Sequence, residues 1–90
     1  MAKRELRRLE AYFNDRRFVI EEELFYPKEG GILVWAYLLI FEGDICTEDH
    51  LQDDIDMCKR YALKYCQVPK EIWVDLPSAF KEETSYTESR

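Results

Sequence analysis

Along residues 2–14, Leu6, Leu9 and Phe13 recur at steps of three and four, with Arg4, Arg7, Arg8 and Glu10 between them. That spacing gathers the apolar side chains into one stripe of a 3.6-residue period and predicts an amphipathic helix. Asn14-Asp15 then supplies turn chemistry. Residues 18–26 are rich in aromatic and β-branched side chains and predict a strand, with Phe18, Ile20, Leu24 and Tyr26 on one face. Pro27 fixes φ, and Gly30-Gly31 can take positive φ, so residues 27–31 predict a hairpin turn. Residues 32–41 are apolar at every alternate position on both faces. Periodicity alone would also allow a helix there, but the flanking glycines and the β-branched and aromatic content favour a strand covered on both sides.

Residues 47–66 carry Leu51, Ile55, Cys58, Ala62 and Tyr65 at steps of four and three, which predicts the principal helix. Thr47 fits its N-cap, with Glu48 and Asp49 in the first turn, and Pro69 lies just beyond its end. Ile72-Trp73-Val74 suits a short third strand, while the Ser, Thr and charged residues of 82–90 read as a flexible tail. The predicted architecture is one α+β domain over residues 1–81, in the order α-β-β-α-β. A small, mainly antiparallel sheet packs with two helices. Were both helices to lie on one face, Trp35, Tyr37 and Phe41 on the other would form a binding or dimerisation surface.

Charge changes this picture more than composition does. The chain has 90 residues and a formal net charge of −6, distributed unevenly. Residues 1–17 hold six basic and three acidic side chains, 18–58 hold one basic and eleven acidic, and 59–90 hold six and five. A net-negative chain is repelled by phosphates, so direct nucleic-acid binding is not expected. The first residues contain no apolar stretch resembling a secretory signal, and the longest apolar run is ten residues where a bilayer helix needs about 20. A soluble, cytoplasmic protein is the expectation. Cys46, Cys58 and Cys66 are odd in number and form no C-x-x-C pair, against both a disulfide framework and a zinc site. On one helix, Cys58 and Cys66 would stand about 12 Å apart, too far to bridge.

Three groups of residues have the spacing of a chemical site. On a helix, Asp49, Asp53 and Asp56 would form a row opposite Leu51 and Ile55; with Glu21, Glu22, Glu23 and Asp54 they could imitate the phosphates of a nucleic acid. Helix-dipole preference and guarding of a strand edge explain the same acids without a partner. His50 with Asp54, and Asp49 with Asp53, have the i,i+4 spacing of a hard-cation site, but residues 44–56 lack the glycine and closing glutamate of an EF-hand loop. No metal site and no cofactor are predicted. Cys46 with His50 at a helix start is the one arrangement for a thiol nucleophile, without an orienting group or oxyanion hole, and no catalytic function is predicted.

The reading this supports is a small acidic protein that inhibits or regulates a partner by occupying a basic site, on a nucleic-acid-binding enzyme or a toxin. Glu21, Glu22, Glu23, Asp49, Asp53, Asp54 and Asp56 would make the charge contacts, with Tyr26 and Trp35 as apolar anchors. In size and sign of charge the chain resembles, as a type, phage-encoded inhibitors and immunity proteins; no motif names a family. The alternative is a homodimeric structural or accessory subunit, joined by the apolar strand face and the basic first helix.

Overall fold

The structure, a computed structural model, describes residues 2–76, with the side chains of Ala2 and Lys3 excepted. The tail read at residues 82–90 lies outside the described residues. Five strands, β1 (Ala2–Phe13), β2 (Arg16–Tyr26), β3 (Leu33–Glu42), β4 (Ile45–Gln52) and β5 (Val74–Asp75), form one antiparallel sheet in the order β4-β3-β2-β1-β5. One helix, α1 (Ile55–Cys66), and a 3-10 turn (Lys70–Ile72) complete the described chain. The α+β class and the mainly antiparallel sheet hold. The second helix does not, and the order becomes β-β-β-β-α-β.

The N-terminal segment is a strand for a reason visible in its register. Glu5 pairs with Glu23 and Arg7 with Glu22, which leaves Leu6 as the extra residue of a β-bulge. The bulge converts a step of two into a step of three between Leu6 and Leu9. The step of four from Leu9 to Phe13 is two strand periods, with buried Ala11 between. A bulged strand thus imitated a helical stripe. Asn14 and Asp15, with φ of 57° and 64°, make the two-residue turn with both central residues left-handed that suits a hairpin between Phe13 and Arg16.

The second correction lies in residues 47–66. Residues 45–52 pair antiparallel with β3, and Gly43, with φ of 63°, opens the two-residue turn that joins them. The helix starts only at Ile55, and its N-cap is Asp54, whose side chain accepts from the Met57 N–H at 2.9 Å; Thr47 instead donates its hydroxyl to the Ile40 carbonyl in the sheet. At the other end Gln67 is left-handed, and its N–H and that of Val68 bond back to the Leu63 and Ala62 carbonyls, closing α1 with an αL cap. The fully buried Val68 then leads through Pro69 and the 3-10 turn to β5, later than the strand predicted from Ile72.

From β4 at one edge, α1 and its turn cross a single face of the sheet to β5 at the other. Cys58, Ala62 and Cys66 pack on Leu9 and Ala11 of β1, Phe18 and Ile20 of β2, and Ala36, Leu38 and Ile40 of β3. Burial of this apolar set removes most of the core's surface from water, at roughly 25 cal/mol per Å². Trp73 closes one end, edge-on to Phe18 with ring centroids 6.5 Å apart. The opposite face of β3, with Leu33, Trp35, Tyr37, Leu39 and Phe41, has no described element across it. These side chains shelter one another: Trp35 stacks on Phe25 at 5.3 Å, and the Arg17 guanidinium lies 4.3 Å above Phe41. Among the described residues no helix is long and apolar enough to cross a membrane.

Candidate interaction surface

The sheet is charged differently at its two sides. Toward β1 and its turn lie Arg4, Arg7, Arg8, Arg16 and Arg17, and the chain's own acids occupy most of them. Arg7 pairs with Asp75 at 3.0 Å, Arg17 with Glu10 at 3.0 Å, and Arg8 with both Glu5 at 2.8 Å and Glu21 at 3.1 Å. Residues 42–56 contain seven carboxylates and no lysine or arginine. They run from the β3–β4 turn, along edge strand β4, into the linker before α1.

The predicted site residues therefore separate into groups. Glu21 is engaged by Arg8, and Glu23 is 8% exposed, accepting from Trp35 Nε1 at 3.0 Å; both serve the open sheet face, while half-buried Glu22 lies on the α1 side, opposite Ala36. Tyr26 is exposed at the far end of β2, and Trp35 is half-buried beside Phe25. Asp49, Asp53 and Asp56 do not share a helical face: Asp49 is on β4, Asp53 in the linker and Asp56 in the first turn of α1. Asp54 caps α1, and Asp56 pairs with Arg60 at 2.8 Å and reaches Lys70 at 3.9 Å.

Glu42, Asp44, Asp49 and Asp53 are exposed and have no ion pair among the described residues. Glu48 lies with them and shares a 2.9 Å contact with His50. Glu42, Asp44 and Glu48 thus join Asp49 and Asp53 at one edge. The signal that could have placed them was the Gly43-Asp44 turn after a strong strand, followed by β-branched Ile45 and Thr47.

The same geometry disposes of the spacings considered for other chemistry. His50 and Asp54, and Asp49 and Asp53, are not separated by a helical turn, because the helix begins after all four. Among the described residues no three His, Cys, Asp or Glu side chains converge as a metal-binding group. Cys46 lies opposite Phe41 on the open face, whereas His50 lies opposite Leu38 on the face toward α1, stacked on Tyr61 with centroids 4.3 Å apart. Cys46 has no helix terminus beside it; its thiol is directed at the Glu48 carbonyl, 3.4 Å away.

The cysteines yield a direct check. Cys46 is exposed, while burial, and secondarily the nearby Asp54 charge, pushes the Cys58 thiol from 9.0 up to about 12. Iodoacetamide near pH 8 is expected to label Cys46 rapidly and buried Cys58 and Cys66 only after denaturation, as read by peptide mass. An acid with a raised folded-state pKa contributes stability that is complete below its unfolded value. That stability is lost as pH climbs from about 9 toward about 12, so the urea midpoint should be lower at pH 10 than at pH 8.

No protein-family profile, characterised protein or solved structure matches this chain. The functional reading therefore rests on the surface alone.

Proposed function

We propose that this protein is a non-catalytic binding protein that regulates or blocks a basic protein partner, using the acidic β4 edge and the linker that follows it. The observation that carries the reading is the separation of charge. Basic residues near β1 are mostly paired within the fold, while the exposed carboxylates of Glu42, Asp44, Asp49 and Asp53 on the opposite side have no cation partner among the described residues. A one-signed edge of this kind steers association with a surface of opposite sign, such as a site that ordinarily takes a polyanion.

A second reading is favoured by the open face of β3. Its aromatic row suits a copy of the same chain, which would make the protein a homodimeric accessory subunit. One experiment separates the two. Tagged protein and its Asp49→Lys/Asp53→Lys variant are incubated with nuclease-treated source lysate at about 50 and about 500 mM salt, and captured proteins are identified by mass. The regulatory reading expects a basic protein that is held at low salt and lost in the variant. Equal capture by both proteins would sink it. Recovery of only the untagged chain, at both salts, supports the homodimer.

A further inference from the structure

Strand β4 is the most exposed strand of the meander: every residue from Ile45 to Gln52 except His50 and Gln52 is exposed. Its inner edge pairs with β3, and no described strand pairs with its outer edge. The sheet's other border differs, since β5 covers Leu9 and Glu10, and the Leu76 N–H bonds the Arg8 carbonyl at 2.7 Å. An antiparallel strand directs the N–H and C=O of alternate residues to each side, so β4 presents a row of donors and acceptors to water. Its one irregularity, between Ile40 and Phe41 in the partner register, falls near its start and leaves the pairing of Glu48 to Gln52 regular.

On the basis of the basic-partner reading above, we propose that the outer edge of β4 accepts an extended basic segment of that partner as a sixth strand. Free backbone groups attract any strand; the side chains decide which one. Glu48 on the α1 side and Asp49 on the open face put carboxylates on both faces of the edge, with Glu42 and Asp44 at one end and Asp53 at the other. A second copy brought edge to edge would set these acids against their own kind, and like charges directly opposite are destabilising. A segment with lysine or arginine on both faces meets opposite charge instead. Leu51, 56% exposed on the open face, offers an apolar neighbour to one uncharged residue of that segment. Main-chain bonds would supply the affinity and the acids the selectivity.

The test uses a capped peptide of about eight residues in the repeat Val-Lys-Lys, long enough to span β4. Beside it is run the same peptide with alternate amides N-methylated, which keeps every charge but removes the donors of one edge. Binding is followed by titration and by amide hydrogen exchange of the whole chain. The expected result is slowed exchange at alternate residues of Ile45–Gln52, with affinity at least about tenfold weaker after N-methylation. An Asp49→Lys variant, altered only at an exposed side chain, should bind the unmethylated peptide more weakly. Equal, salt-sensitive binding of both peptides without new protection would overturn strand addition while leaving the acidic edge as an electrostatic surface. Binding of neither would overturn the basic-partner reading as well.

Discussion

Phe18→Ala is expected to remove about half of the protein's stability. Phe18 is fully buried, sits between Ala11 and Ile40 in the ladder and meets the edge of Trp73. Truncating such a ring deletes its transfer free energy and leaves a void that a sheet pinned on both sides closes poorly, at about 3–5 kcal/mol. Domains of this size have only about 5–10 kcal/mol in total. Urea unfolding followed by tryptophan fluorescence should show the midpoint falling by about half, or a loss of cooperative unfolding at 37 °C. Phe18→Leu, which retains most of the volume, should cost less than half as much. A loss below about 1 kcal/mol for the alanine variant would mean that α1 and the sheet do not pack tightly at this end.

The second large effect concerns the open face. Glu5 and Glu23 stand directly opposite each other across β1 and β2, each only 8% exposed, and one Glu5 oxygen is buried without a hydrogen-bond partner. Arg8 holds Glu5 at 2.8 Å and Glu21 at 3.1 Å. Arg8→Met would leave Glu5 sheltered from water with no cation in contact among the described residues. Breaking a buried pair on one side costs about 3–5 kcal/mol; Arg8 is 31% exposed, so about 2 kcal/mol is expected here. Glu5→Gln removes the like charge facing Glu23 and should be close to neutral alone. Combined with Arg8→Met it should recover most of the loss, a coupling that denaturation of the four proteins measures. Additive costs would show that Arg8 acts by packing its stem rather than by its charge.

Much of the fold was legible where backbone chemistry dictates it. Pro27, Gly30 and Gly31 announced the β2–β3 hairpin, and the flanking glycines with the β-branched and aromatic content of residues 32–41 announced the strand that forms at Leu33–Glu42. The helix stripe holds at Ile55, Cys58 and Ala62, while Tyr65 is exposed and Cys66 is buried in its place. What failed was period discrimination. The bulge at Leu6 gave β1 helical spacing, and in β4 the acids, His50 and Gln52 are poor strand formers whose lone Leu51 happened to extend the α1 stripe. Tertiary pairing overrode propensity in both.

The acids of the candidate surface were legible as a concentration of charge, since composition does not depend on the element carrying it. Their arrangement was not. Glu21 and Glu23 became internal partners of Arg8 and Trp35, and the residues left over lie along a strand edge rather than a helix face.

The crossing from β4 to β5 bears on the order in which the molecule assembles. Strands β1 to β4 follow one another through short turns, so each pairing closes a small loop at little entropic cost. Joining Val74 and Asp75 to Glu10 and Leu9 requires nearly the whole chain to be in place and returns a ladder of only two residues. The meander can therefore form first, with β5 docking last and detaching first. That makes the seam between β1 and β5 the place where the native protein opens most readily, well before its centre does.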